Sequence, residues 1–142
     1  MKIYADTSFL VSLYSLDANS PVAVQTMQAF QGERLLTTLG ELEVVNELEL
    51  RVFRKDISPA QAQSSLDDFE KHLREGFFQI RGFVDAFFER ARQLSRQTTA
   101  KLGTRTADLL HVAAALELGA DYFYSFDRQQ RKLAQSVRLK LN

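Results

Sequence analysis

The sequence has 142 residues, of which 45% are hydrophobic and 25% charged, and its 18 basic and 18 acidic residues give no formal net charge. This length and composition predict one compact domain over residues 1–142 and exclude a disordered chain. Zero net charge removes the simplest argument for nucleic-acid binding. The absence of cysteine excludes disulfides, thiolate metal sites and a cysteine nucleophile. No segment resembles a membrane span or a secretory signal, so we expect a cytoplasmic protein.

Strand and helix signals alternate through the first half of the chain. Apolar residues recur with helical spacing after Asp6, and two Ser-Pro pairs are helix-start signals because serine caps helices and proline fits their first turn. The predicted elements are a strand at 2–5, a helix behind it, a helix from 20 to 32, a strand at 35–38, a helix at 40–54, a helix from 59 to 76 and a strand at 77–80.

The second half of the chain continues the same alternation. It predicts a helix at 84–100, a helix capped by Thr106 that ends near Gly119, a strand at 122–126 and a helix at 128–135. Parallel strands joined by helices need crossover connections. We therefore expect an α/β fold, a three-layer α/β/α sandwich with a mainly parallel central sheet.

Four acidic residues are expected to converge on the rim where the strands end and where parallel sheets collect ligands: two directly follow predicted strands, one lies a turn into the helix after a strand, and one lies in the first turn of the helix before a strand. They are Asp6, Glu43, Asp108 and Asp127. Carboxylates held close together repel one another unless a divalent cation neutralises them. Oxygen ligands without cysteine or paired histidine favour Mg²⁺ or Mn²⁺, and such ions activate water for phosphodiester hydrolysis.

An ordinary structural role is also open for each acid. An aspartate at a strand-to-helix junction commonly caps the helix, and each of the three aspartates, taken singly, favours that interpretation. Glu43 has neighbouring glutamates on its helix. Glu41 is the alternative site residue if the acidic position is assigned in the wrong register. Glu47 is expected to pair with Arg51, or else to join the site. Only the joint arrangement of the four acids favours a functional site.

Several polar residues accompany the acids. Ser8 and Ser125 can orient carboxylates through their hydroxyls, although serine is also a usual capping residue. Arg105 is suited to contact a phosphate, and equally to pair with a nearby carboxylate. His111 lies on an apolar helix, which indicates a packed, hydrogen-bonded histidine rather than a general base.

Four segments resemble the sequence motifs of PIN-domain ribonucleases. They are Tyr4-Ala5-Asp6-Thr7-Ser8, Leu42-Glu43-Val44-Val45-Asn46, Thr104-Arg105-Thr106-Ala107-Asp108 with the helix behind it, and Tyr124-Ser125-Phe126-Asp127. Together they extend over nearly the whole chain. The short chain is similar to the VapC-like toxins of type II toxin-antitoxin pairs.

The resemblance implies an endoribonuclease that uses Mg²⁺ or Mn²⁺ to cut single-stranded or loop RNA. Carried over by position, the catalytic and metal-binding residues are Asp6, Glu43, Asp108 and Asp127, supported by Ser8, Ser125 and Arg105. It also implies a homodimer and a small antitoxin protein that covers the site.

Three other functions are open to the same sequence. One is a non-catalytic PIN-like module that binds RNA or protein, and the second is a structural role in which the aromatic helices mainly mediate assembly. The third is a phosphoacceptor receiver domain, which fits less well because no acid directly follows the strand at 77–80. Metal-dependent RNA cleavage separates the nuclease from the first two, whereas acid-stable phosphate transfer onto an aspartate would support the receiver.

Overall fold

Five strands and seven helices make up the computed structural model, which describes all residues from 1 to 142. The strands are β1 (Lys2–Ala5), β2 (Glu33–Thr37), β3 (Gln79–Arg81), β4 (Tyr122–Tyr124) and β5 (Lys140–Leu141). The helices are α1 (Thr7–Tyr14), α2 (Ser20–Ala29), α3 (Thr38–Phe53), α4 (Pro59–Arg74), α5 (Asp85–Leu102), α6 (Thr106–Glu117) and α7 (Arg128–Ser136).

The strands form one sheet in the order β3-β2-β1-β4-β5, and every neighbouring pair is parallel. From β1 the chain builds outward through β2 and β3, and then crosses to the other side of β1 to add β4 and β5. The strand order therefore reverses beside β1. In parallel sheets this reversal opens a crevice at the carboxyl ends of the adjacent strands.

The alternation of side chains along β1 divides the interior into two cores. Ile3 and Ala5 face one core, which they share with α1, α2, α3 and α4, whereas Tyr4 faces the other, shared with α5, α6 and α7. Both faces of the sheet are thus covered by helices. The expected three-layer α/β/α sandwich is confirmed, with a sheet that is wholly parallel.

Some element boundaries differ from the sequence predictions. The strand predicted at 77–80 begins two residues later, because Phe78 is buried in the first core and Phe77 stacks on His72 of α4. The helix predicted to reach Gly32 ends at Ala29. The short β5 was not predicted, since two residues carry no periodic signal. None of the helices combines the length and the apolar character needed to cross a membrane.

Candidate active site

A cavity of about 570 Å³ lies where β1 and β4 end. Its wall is mostly polar, since only three of its 17 lining residues are hydrophobic. The structure brings the four predicted acids together on this wall: Asp6, Glu43, Asp108 and Asp127. Glu47 also lines the cavity, whereas Glu41 does not.

Asp6 is both a helix cap and a part of the cavity wall. Its Oδ1 accepts the backbone N–H of Phe9 at 3.1 Å and the Ser8 hydroxyl at 2.7 Å, and its Oδ2 accepts the Ser125 hydroxyl at 2.5 Å. Burial raises the pKa of Asp6, and the two hydroxyl hydrogen bonds oppose this rise. Capping needs only one of the oxygens, so the second hydrogen-bonded oxygen fixes the carboxylate in orientation.

The two serines connect Asp6 to the segment that follows β4. The Ser8 hydroxyl accepts the backbone N–H of Phe126 at 3.0 Å, and the Ser125 hydroxyl accepts that of Asp127 at 3.0 Å. Each hydroxyl therefore donates to Asp6 at the end of β1 and accepts a backbone N–H from the segment that follows β4. Both serines hold the ends of β1 and β4 in a fixed relation.

Glu43 enters the cavity from the second turn of α3. Its Oε1 accepts the Thr7 hydroxyl at 3.1 Å and also contacts Nε2 of His111 at hydrogen-bonding distance. Partial burial raises the pKa of Glu43, but His111, Thr7 and the positive charge of Arg105 outweigh it and hold the pKa below its ordinary value. The side chain is therefore held as a carboxylate.

Arg105 lies between Asp108 and Asp127. Oδ2 of Asp108 accepts the backbone N–H of Arg105 at 3.2 Å and its Nε–H at 3.3 Å, while Nη2 lies 3.7 Å from Oδ2 of Asp127. Thr106 was expected to cap α6, but it is the first helical residue and Arg105 occupies the capping position. Asp127 caps α7 by accepting the N–H of Gln130 at 2.9 Å.

The donor set on this wall suits a hard divalent cation, because it offers carboxylate oxygens and no sulfur. Oε2 of Glu43 and Oδ1 of Asp108 accept no hydrogen bond from the protein, so both are free for a ligand. As the side chains lie, no three His, Asp or Glu groups are close enough to coordinate one ion. Ion binding therefore requires side-chain rotation or ligation through water, which Mg²⁺ commonly retains.

His111 has a position in the site that the sequence interpretation did not assign. It is buried and hydrogen-bonded, as expected of a packed histidine, but its partner is Glu43 and it lines the cavity. Its spacing of three residues from Asp108 places both on one face of α6. That spacing was the available sequence signal.

The predicted pairing of Glu47 with Arg51 is wrong. Arg51 pairs with Asp17 at 2.9 Å, and Glu47 pairs with Arg54 at 2.9 Å. Asp17 and Arg51 both line the acidic cavity, at positions that sequence analysis did not connect with the site. Their separation of 34 residues along the chain left no local pattern to detect.

The family profile described as PIN domain matches residues 3–136. None of the curated protein sequences matches the chain. Among solved structures, Mycobacterium tuberculosis VapC20, described as a sarcin-ricin loop cleaving toxin, is similar with a TM-score of 0.72 and 17% identity, over 92% of this chain and 93% of that one. VapBC2 from Rickettsia felis, described as bound to a DNA fragment from its promoter, has a TM-score of 0.69 and 18% identity, over 100% of this chain and 98% of that one.

A toxin-antitoxin complex from Klebsiella pneumoniae is also similar, with a TM-score of 0.61 and 16% identity, over 88% of this chain and 86% of that one. Identities this low establish a shared fold alone. The family match is different in kind, because it extends over nearly the whole chain and includes the four predicted acids of the cavity. The chain therefore belongs to the PIN-domain family.

Proposed function

We propose that this protein is an endoribonuclease that depends on Mg²⁺ or Mn²⁺ and hydrolyses RNA phosphodiester bonds. The observation that carries the proposal is the convergence of Asp6, Glu43, Asp108 and Asp127 on one polar cavity. These acids come from four different elements or junctions, and their ordinary capping roles do not require a common wall. Family membership supports the same conclusion.

Asp6, Glu43 and Asp108 are proposed as the principal metal-binding carboxylates, directly or through water, with Asp127 completing the site. When bound, the divalent ion supplies an activated water and offsets the charge that develops on the phosphodiester. Hydrogen bonds already fix one oxygen or more of each carboxylate. The chain itself thus restrains the acids before any ligand arrives, and an ion held partly through water needs the least rearrangement of them.

Arg105 is proposed to contact the scissile phosphate. Its side chain is 73% exposed although it pairs with Asp108 and Asp127, so the guanidinium stays in contact with solvent when it turns outward. A cation bound by those carboxylates would compete with the guanidinium for them. The released guanidinium can then donate to a phosphate oxygen.

Cleavage of a structured RNA pool tests the enzymatic proposal. Purified protein and its Asp6→Asn variant are compared with Mg²⁺, with Mn²⁺ and with EDTA, and a sarcin-ricin loop hairpin is included because one solved relative is described as cutting that loop. We expect cleavage only by the wild type with metal. RNA that is bound but left intact would instead support a non-catalytic binding module.

A second pair of variants tests which glutamate acts. Glu43→Gln should abolish metal-dependent cleavage, because it removes a wall carboxylate. Glu41→Gln changes the same residue type on the same helix but away from the cavity, and it should leave cleavage unchanged. The reverse result would move the site by two residues toward the start of α3.

The protein is further proposed to be a toxin that a small antitoxin protein inhibits, and to form a homodimer. Support for the toxin and antitoxin roles comes from similar solved structures, one described as a toxin and another as a toxin-antitoxin complex. Induced expression should halt bacterial growth, and Asp6→Asn should relieve the arrest. Growth that continues while active nuclease is fully expressed would contradict the toxin role. For the homodimer, light scattering should give twice the mass of one chain.

A further inference from the structure

A buried chain of hydrogen bonds leads from the sheet to Glu43. The Tyr4 hydroxyl lies 3.1 Å from Oγ1 of Thr37 and 2.8 Å from Nδ1 of His111, and Nε2 of His111 contacts Oε1 of Glu43. Tyr4 and Thr37 are 1% and 0% exposed, and His111 is 3% exposed. Only the Glu43 end of this chain reaches solvent, through the cavity.

The donors and acceptors fix the direction in which the hydrogen bonds of this series are donated. Thr37 Oγ1 accepts the backbone N–H of Gly40 at 3.2 Å, so its own hydroxyl proton has the Tyr4 oxygen as its one available acceptor. Tyr4 then donates to Nδ1 of His111, which must be unprotonated. The proton of the imidazole is consequently on Nε2, where it can be donated to Glu43.

The other tautomer is unfavourable for two reasons. It would turn an Nε2 lone pair toward the Glu43 carboxylate, so that two acceptors faced each other. It would also reverse the bond with Tyr4 and leave the buried hydroxyl proton of Thr37 without an acceptor, which is unfavourable for a buried polar group.

Tyr4 is itself held rigidly by the second core. Its ring stacks on Phe123 of the adjacent strand, with centroids 5.6 Å apart and planes 8° from parallel. It also contacts the His111 ring edge to face, with centroids 5.8 Å apart. The hydroxyl that fixes His111 thus belongs to a buried side chain that is packed against two other rings.

We propose that His111 is a positioning residue for Glu43: Tyr4 and Thr37 fix its tautomer, and its Nε2–H holds Oε1 so that Oε2 remains free to bind the metal ion. This inference rests on the proposed function, because it assigns a role to Glu43 as a metal-binding carboxylate. Thr7 donates to the same Oε1, so both hydrogen bonds leave Oε2 unengaged.

The chain contains a matched control in a second tyrosine–histidine pair. The Tyr14 hydroxyl lies 2.6 Å from Nδ1 of His72, and the rings meet edge to face with centroids 5.5 Å apart. This pair lines a different cavity that contains none of the four acids. The corresponding variants therefore report the loss of a similar pair away from Glu43.

The tautomer is measured on ¹⁵N-labelled, metal-free protein by long-range ¹H–¹⁵N correlation of the imidazole nitrogens. The chain has two histidines, so His72→Gln assigns the signals. We expect His111 to carry its proton on Nε2, and Tyr4→Phe to mix the two tautomers while Tyr14→Phe leaves His111 unchanged. A proton on Nδ1 in the wild type would overturn the proposal.

Metal binding is measured with Mn²⁺ alone by electron paramagnetic resonance, without RNA. Partners that orient metal ligands typically affect affinity by about 10–100-fold. His111→Leu should weaken Mn²⁺ binding by that order, whereas His111→Gln, whose amide N–H can replace Nε2–H, should restore most of it. Tyr14→Phe and His72→Gln should bind Mn²⁺ as the wild type does, and melting curves should show all variants folded.

The outcomes separate this inference from the proposed function. If the wild type binds Mn²⁺ and His111→Leu, still folded, binds it equally well, His111 does not position Glu43 and the inference is overturned. If His111→Leu does not fold, an absence of rescue in folded His111→Gln overturns it. If the wild type cuts RNA but binds no Mn²⁺, the role of Glu43 toward metal is overturned, whereas absence of both cleavage and binding removes the proposed function.

Discussion

Nη2 of Arg105 lies 3.7 Å from Oδ2 of Asp127, which places a positive charge of the chain inside the cavity lined by Asp6, Glu43, Asp108 and Asp127. Mutual repulsion among those carboxylates is thereby reduced without an ion. The same contact makes Arg105 a competitor for any divalent cation that binds Asp108 and Asp127. The arginine therefore has opposite expected effects on metal binding and on substrate binding.

Arg105→Gln should bind Mn²⁺ more tightly than the wild type, because the arginine no longer competes for Asp108 and Asp127. The expected gain is roughly 2–10-fold, since an interaction between two exposed charges in water is about 1 kcal/mol. It should also raise KM for RNA, since one phosphate contact is lost. Mn²⁺ titration and steady-state cleavage measure the two effects. Arg92→Gln is the control, because Arg92 pairs with Glu89 on α5 and does not line the cavity. Weaker Mn²⁺ binding by Arg105→Gln would contradict the competition argument.

Asp6→Asn should make the metal-free protein more stable at neutral pH while removing its activity. The folded-state pKa of Asp6 is raised by burial, so the folded state carries an unfavourable buried charge above that pKa. Asparagine can still accept the N–H of Phe9 and a serine hydroxyl. In a chain of this length each kcal/mol corresponds to roughly 3–4 °C in Tm.

The pH dependence gives a further check on Asp6. Because its pKa is raised in the folded state, the stability difference in favour of Asp6→Asn should shrink as the pH falls through that pKa and Asp6 becomes neutral. Mg²⁺ should raise the Tm of the wild type more than that of the variant. An Asp6→Asn protein that is less stable at every pH would show that Asp6 acts mainly as a helix cap.

The Asp17–Arg51 pair should stabilise the fold above about pH 4 and lose its effect below. Hydrogen bonds from Arg51 and Ser12, together with the backbone N–H of Asn19, outweigh the effect of burial and lower the pKa of Asp17. A depressed folded-state pKa contributes stability that is present above the unfolded value, about 3.9, and is lost as pH falls through the folded value.

Urea unfolding of Asp17→Asn at several pH values measures this contribution. We expect a loss of about 1 kcal/mol at pH 7, since the pair is only partly buried, and a smaller loss at acidic pH. Arg51→Gln should follow the same pH dependence, and the double variant should cost less than the sum of the two. A difference that does not change with pH would show that lost packing, not charge, causes the effect.

The sheet and its covering helices could be predicted from sequence because their signals are local. The alternation of Ile3, Tyr4 and Ala5 between two cores follows from the geometry of a strand, and the position of Asp6 at the end of β1 follows from the same short segment. Strand order was not predictable in this way. Pairing of β1 with β4 joins residues that are more than 100 positions apart.

The partners of the acids were harder to predict than the acids themselves. Ser8 and Ser125 were expected to orient carboxylates, because each lies two residues from an aspartate. The contact of His111 with Glu43 depends on how α6 and α3 approach across β1, and no local pattern encodes that approach. Arg51 was assigned to Glu47 by helical spacing, but the tertiary contact with Asp17 prevailed.

Gln130 carries a buried polar atom whose cost to the fold can be measured. Its side chain is 1% exposed and lines the acidic cavity, and its amide oxygen has no hydrogen-bond partner. An unpaired buried polar group costs about 1–3 kcal/mol. Gln130→Met has a similar length without that group, so it should raise the free energy of unfolding by about 1 kcal/mol. Gln129→Met is the matched control on the exposed neighbouring position and should have little effect. A loss of stability in Gln130→Met would mean that water or a ligand in the cavity satisfies the amide, and would place Gln130 among the groups that bind at the site.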